Sequence, residues 1–156
     1  MNIALIAHDS KKELMVQFCI AYCGILSHHD IRATGTTGKL VAEATGLHIQ
    51  RYLSGSQGGD QQLASSISCN EVDLLIFFRD PLNAKSHEPN DINILRLCDV
   101  HNIPVATNIA TAEALIHALE RGDCGLVDIG PKLLYCRMRI TPGELDRFAG
   151  DKSFTL

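Results

Sequence analysis

Ala33-Thr34-Gly35-Thr36-Thr37-Gly38-Lys39-Leu40 joins a short β-like run to a helical one. The two glycines permit a tight turn and a close approach of backbone to a ligand. Three threonine hydroxyls and the first N–H groups of the helix converge on one place. The partial positive charge of a helix N-terminus suits that place to phosphate or another small anion. The spacing is not that of a Walker A loop, because Gly35 and Gly38 stand too close together and Lys39 is followed by Leu40. A Thr/Gly-rich turn of this kind also serves as a plain helix cap, so the stretch decides the architecture before it decides a function.

The rest of the chain repeats the same strand-to-helix unit. Ile3 to Ala7 is a continuous apolar run, as in a parallel strand buried on both faces. Asp9 or Ser10 is placed to cap the helix that follows, whose apolar residues recur at helical spacing from Leu14 to Leu26. Ile31 to Thr34 reads as the second strand, Thr36 to Thr45 as a helix stopped by Gly46, and His48 to Leu53 as a third strand. A Gly/Ser-rich loop from Ser54 to Gly59 leads into a helix from about Asp60 to Cys69. Val72 to Phe78 is the strongest strand and ends at Arg79-Asp80-Pro81. A helix from about Asn90 to His101, a strand from Ile103 to Asn108 and a helix from Ala110 to Arg121 complete the pattern. The fold class is therefore α/β, a single doubly wound, mostly parallel sheet flanked by helices. The α/β domain is expected to span residues 1–130, with Gly125 to Ile129 as a last edge strand. Residues 131–156 form a tail that either docks on a neighbouring subunit or is poorly ordered.

The composition narrows the partners. At 156 residues the chain makes one domain with one buried core. A net charge of -4 disfavours a polyanion-binding surface, and the lack of Trp disfavours base stacking, so no nucleic acid is expected. There is no basic leader, no cleavage pattern and no apolar run of membrane-spanning length, which implies a cytoplasmic protein without a membrane partner. Cys19, Cys23, Cys69, Cys98, Cys124 and Cys136 contain no Cys-x-x-Cys pair. They read as reduced, mostly buried thiols rather than metal ligands, so no metal is expected.

Polar residues gather where each strand ends, and in a parallel α/β sheet ligands bind at the carboxyl ends of the strands. His8 and Asp9 follow the first strand, Thr34 to Thr37 the second, and Ser54, Gly55 and Gly58 to Asp60 the third. Arg79, Asp80 and His87 follow the fourth, and Thr107 and Asn108 the fifth. Each has an ordinary reading as a loop residue or helix cap. Together they suit a small, anionic, oxygen-rich substrate, because independent turns have no common need for this chemistry.

Six stretches in order resemble the methylglyoxal synthase family. They are Ile6-Ala7-His8-Asp9, Ala33-Thr34-Gly35-Thr36-Thr37-Gly38, Leu53-Ser54-Gly55, Gly58-Gly59-Asp60-Gln61-Gln62, Leu75-Ile76-Phe77-Phe78-Arg79-Asp80-Pro81-Leu82-Asn83 and Asn102-Ile103-Pro104-Val105-Ala106-Thr107-Asn108. The resemblance runs from Ile3 to about Leu115. It implies conversion of dihydroxyacetone phosphate to methylglyoxal and inorganic phosphate, with no metal or organic cofactor. It also implies a single doubly wound domain, assembly as a homohexamer, and phosphate as both product and inhibitor. By position it implies Asp60 as the catalytic carboxylate and Asp80 as a further one. His8, Lys12, Thr34, Gly35, Thr36, Thr37, Ser54, Gly55 and His87 are the implied substrate-binding residues, His87 also polarising a substrate oxygen. Where the family usually has His-Asp-Pro-Asp, this chain has His87-Glu88-Pro89-Asn90. Asn90 cannot act as a base, and Asp91, next along, is expected to point in a different direction on the helix. The tail after Leu115 also departs from the family. Two other readings stay open: a non-catalytic module of the same fold that binds a phospho-ligand for regulation, and a lyase or isomerase acting on a related sugar phosphate.

Overall fold

The computed structural model describes residues 1–82 and 88–122, for residues 88–90 the backbone alone. Its core is a five-stranded sheet of β1 (Asn2–Ala7), β2 (Asp30–Ala33), β3 (Ile49–Arg51), β4 (Leu74–Phe78) and β5 (Val105–Ala106). The strand order is β3-β2-β1-β4-β5, and every pairing is parallel. The chain builds outward from β1 through β2 to β3, then returns to the other side of β1 to add β4 and β5. The helices are α1 (Lys12–Ala21), α2 (Cys23–Leu26), α3 (Gly35–Thr45), α4 (Gly59–Ser68), α5 (Glu88–Val100) and α6 (Ile109–Glu120). Among the described residues no helix is long and apolar enough to cross a membrane.

Strand alternation divides the core into two layers. Ile3 and Leu5 of β1, with Leu74, Ile76 and Phe78 of β4, face α1, α3 and α6 through Met15, Phe18, Val41 and Ile116. Ala4, Ile6, Leu75 and Phe77 face the other way, onto Leu63 and Ile67 of α4 and Ile94 and Cys98 of α5. Both central strands are buried on both faces, which is why they read as unbroken apolar runs. The helices therefore cover both faces of the sheet, as the doubly wound reading requires.

Several boundaries depart from the expected ones for local reasons. Asp9 and Ser10 do not cap α1, because Asp9 to Lys11 form a turn of 3-10 helix and the N-cap position falls on Lys11. The expected continuous helix to Leu26 breaks at Tyr22 (φ -109°, ψ 21°), whose ring tilts onto Phe18 at 4.9 Å. β3 is shorter than His48–Leu53, because the Leu53 N–H leaves the sheet and donates to Gln62 Oε1 at 2.8 Å. β5 is confined to two residues, between Pro104, which has no N–H, and Asn108, whose side chain caps α6 by accepting from Thr111 N at 3.0 Å. Gly46, at φ 73°, ends α3 in the left-handed conformation expected of a C-cap glycine. Cys19 and Cys98 are buried, Cys23 is half-buried and Cys69 is exposed, so burial holds for only part of the described set. Burial pushes the Cys19 and Cys98 thiols up to about 12, which makes both inert at neutral pH. The expected strand at residues 125–129, the tail at 131–156, His87, Cys124 and Cys136 lie outside the described residues.

Candidate active site

Two strand-end turns, those after β2 and β3, assemble one side of a cavity. Thr34 is the N-cap residue of α3, but its side chain makes no capping bond. Its hydroxyl instead donates to Thr37 Oγ1 at 3.4 Å, and both threonines are buried. Plain capping therefore does not account for Thr34. Helix geometry leaves the first N–H groups of α3 without intrahelical acceptors, and Thr36 stands exposed at that end. The neighbouring turn is tied on through Gly35 N, which donates to Leu53 O at 3.0 Å.

The β3-to-α4 turn is built on its own backbone. Ser54 O accepts from both Gln57 N and Gly59 N at 2.9 Å, and Gly58 takes φ 95° to bring α4 in. This puts Asp60 in the first turn of α4, its carboxylate over Gly55, where an added methyl would stand 3.3 Å from Asp60 Oδ2. The Ser54 hydroxyl lies 3.2 Å from Ser56 Oγ and donates to Gln57 Oε1 at 3.0 Å.

On the other side, the His8 ring is fixed at three points. Its Nδ1 accepts from Asp80 N at 3.0 Å, its Nε2 lies 2.8 Å from Asp91 Oδ2, and its edge packs on Phe77 at 5.4 Å between centroids. Since Nδ1 is the acceptor, the ring proton resides on Nε2 and is donated to Asp91. Asp80 holds its turn with both carboxylate oxygens, accepting from Ser10 Oγ at 2.5 Å and from Leu82 N at 3.1 Å. Lys12 Nζ donates to Asp9 Oδ1 at 2.7 Å.

These elements enclose a cavity of about 210 Å³ at the carboxyl ends of β1, β2 and β3. Drug-sized ligands usually occupy roughly 300–1,000 Å³, so this space matches a smaller molecule. Of the residues expected from the sequence, His8, Lys12, Thr34, Thr36, Thr37, Ser54, Gly55 and Asp60 line it. Gly35 does not, its N–H being committed to Leu53, and Asp80 does not, its carboxylate standing on Ser10 and Leu82. Asp9, expected among the strand-end polar residues but given no role in the site, lines the cavity, as do Ser56 and Asp91, which were not expected as site residues. Asp91 had a legible signal. Asp91, Ile94, Leu95 and Cys98 lie at i, i+3, i+4 and i+7, the stripe of α5 that faces the sheet. Among the described residues no three His, Cys, Asp or Glu side chains are grouped to hold a metal ion.

Comparison with known proteins identifies the family of this fold. Residues 15–107 match the family model of the MGS-like domain. The chain is similar to a methylglyoxal synthase of Caldicellulosiruptor saccharolyticus, 65% identical over 134 residues, 85% of this chain and 95% of the relative. It is similar to a methylglyoxal synthase of Bacillus anthracis, 59% identical over 123 residues, 79% of this chain and 94% of the relative. Among solved structures it resembles the methylglyoxal synthase of Elizabethkingia anophelis, with a TM-score of 0.68 and 43% identity, over 74% of this chain and 76% of that one.

Proposed function

We propose that this chain, which belongs to the methylglyoxal synthase family, is a lyase that converts dihydroxyacetone phosphate to methylglyoxal and inorganic phosphate. The observation that carries the reading is one cavity that unites the Thr34, Thr36 and Thr37 side chains with the carboxylate of Asp60. The threonines, the start of α3, Lys12 and the Ser54-Gly55 turn supply donors and positive charge for the phosphate. Asp60 removes the proton from the carbon that bears the hydroxyl, leaving an ene-diolate. Holding the phosphate fixes its C–O bond near perpendicular to the ene-diolate plane, so that elimination overlaps with the π system. Asp80 acts from behind the cavity wall, where its amide sets the ring of His8, which lines the cavity. Assembly as a homohexamer and a cytoplasmic location belong to the same reading.

Purified protein is expected to release phosphate and methylglyoxal from dihydroxyacetone phosphate in equal amounts. Binding of phosphate without turnover would instead indicate a regulatory phospho-ligand module. Turnover of another triose or tetrose phosphate alone would indicate a related lyase. Within the proposed site, Thr36→Val keeps the shape and removes one donor. Hydrogen bonds to charged groups contribute roughly 1.5–3 kcal/mol, so phosphate and substrate are each expected to bind about tenfold or more weakly. Titration calorimetry with inorganic phosphate checks this, and unchanged affinity would put the phosphate elsewhere.

A further inference from the structure

The stretch Gly58-Gly59-Asp60-Gln61-Gln62 ends in two glutamines that the proposed reaction leaves without a part. Neither lines the cavity. Gln62 instead reaches back to the end of β3, where its Oε1 accepts from Leu53 N at 2.8 Å.

Leu53 is the residue at which the two halves of the site meet. Its carbonyl accepts from Gly35 N, at the start of α3, at 3.0 Å. Its N–H is held by α4 through Gln62. One residue therefore joins the helix end proposed to hold phosphate to the helix that carries the proposed base. Gly59 N adds a second tie next to it, donating to Ser54 O at 2.9 Å. The other anchors of α4 lie further along the helix. Leu63 and Ile67 are buried against the sheet, and Ser66 Oγ accepts from the Tyr52 hydroxyl at 2.9 Å. Gly59, Gln62 and Ser66 stand at i, i+3 and i+7, on the side of α4 that runs along Tyr52 to Ser54.

This arrangement separates stability from geometry. Leu63, Ser66 and Ile67 keep α4 on the sheet whether or not Gln62 holds Leu53. Gln62 and Leu53 are both exposed, so water satisfies the N–H when the amide is removed and little stability is lost. Water does not supply a fixed distance. Asp60 lies in the same turn as Gln62, its carboxylate over Gly55, so the first turn of α4 grips the Leu53-to-Gly55 segment at both ends. A general base has to stand within about 2.6–3.2 Å of the atom that gives up the proton, and a displacement of about 1 Å can cost roughly a hundredfold in rate.

We propose that Gln62 is a positioning residue that acts through Asp60, its bond to Leu53 N setting the base at a fixed distance from the phosphate end of α3. The proposal rests on the methylglyoxal synthase reading, and the variants below keep the two apart. Gln62→Met keeps an unbranched side chain and removes the acceptor. Its turnover of dihydroxyacetone phosphate is expected to fall about thirtyfold, while its affinity for inorganic phosphate stays within about threefold of wild type. Its melting temperature is expected to change by less than about 3 °C. In deuterated water, exchange of the carbon-bound proton is expected to slow together with phosphate release, since both wait on Asp60. Gln62→Glu gives Leu53 N an acceptor again and is expected to turn over at least about fivefold faster than the methionine variant. Gln61→Met makes the same change on the neighbouring exposed residue and is expected to stay within about twofold of wild type.

Turnover of Gln62→Met within about threefold of wild type would overturn the positioning role. So would a loss of phosphate affinity or of melting temperature that accounts for the loss of turnover, a Glu variant as slow as the methionine variant, or a Gln61→Met protein equally slow. A wild-type protein that binds phosphate but releases none from dihydroxyacetone phosphate overturns the reaction itself, and the role of Gln62 with it.

Discussion

Asp60→Asn is expected to lower turnover about a thousandfold while leaving phosphate affinity within about threefold, because general-base catalysis is worth roughly 10²–10⁴-fold. The amide is nearly isosteric with the carboxylate and keeps its place over Gly55, where Oδ2 approaches to 3.3 Å of an added methyl. It hydrogen-bonds but takes no proton. The proposed phosphate contacts lie on other cavity-lining elements, on α3 and the Ser54 turn, which the change leaves untouched. A thousandfold loss corresponds to roughly 4 kcal/mol of transition-state stabilisation. Steady-state kinetics with dihydroxyacetone phosphate, alongside phosphate binding, give the two quantities. Because Asp60 is proposed to act on the first step, this variant is expected to lose carbon-proton exchange together with phosphate release. A loss of less than tenfold would remove Asp60 as the base and leave Asp91 as the described carboxylate best placed to replace it.

The fold was readable because its strongest signals are physical requirements of a doubly wound sheet. Ile3 to Ala7 and Leu74 to Phe78 have to be apolar on both faces, and no polar residue interrupts either run. Strand ends were less readable. Whether Leu53 stays in the ladder depends on Gln62, nine residues on, whose side chain takes its N–H. No local propensity encodes such a contact. The same holds for the break at Tyr22, which follows from packing on Phe18 rather than from a helix-breaking residue.

The candidate site was legible where residue type and backbone turn coincide, as in Thr34 to Thr37 and Gly58 to Asp60. It was less legible where a side chain's direction decides the matter. Asp80 stands in a prominent Asp-Pro turn, yet its carboxylate stays on Ser10 and Leu82 and its amide is the group that reaches His8. Asp91 was set aside by its direction on the helix relative to Asn90. The helical period counted back from Cys98 and Ile94 puts it on the buried stripe, which is where it lies. A charged residue on an otherwise apolar helical face is costly to bury without a partner, and His8 is that partner.

Gly59→Ala is expected to be among the most destabilising single-methyl changes in the molecule. A Cβ at this position would overlap Leu53 O and would lie 2.8 Å from Leu53 C and 3.0 Å from Ser54 O. All three are backbone atoms, so no flexible side chain can swing aside. Leu53 O is also the acceptor for Gly35 N, and Ser54 O the acceptor for Gly59 N itself. Relief of the clash therefore pushes the start of α4 away from the α3 turn and breaks the contacts that hold Asp60 opposite the threonines. Overpacking costs roughly 1–3 kcal/mol and occasionally more, and a clash against fixed backbone belongs at the upper end. At roughly 2–4 °C per kcal/mol for a chain of this size, the melting temperature is expected to fall by about 10 °C. Turnover of the folded fraction is expected to fall as well, since Asp60 moves with the helix. Gly24→Ala is the matched control, adding the same methyl inside α2 where nothing lies within 4 Å. Gly in a helix is less stable than Ala by roughly 0.5–1 kcal/mol, so that variant is expected to melt slightly higher than wild type with unchanged activity. Thermal unfolding of the two variants side by side checks the contrast. A Gly59→Ala protein as stable as Gly24→Ala would mean that α4 does not approach the Ser54 turn this closely, and the position of Asp60 over Gly55 would fall with it.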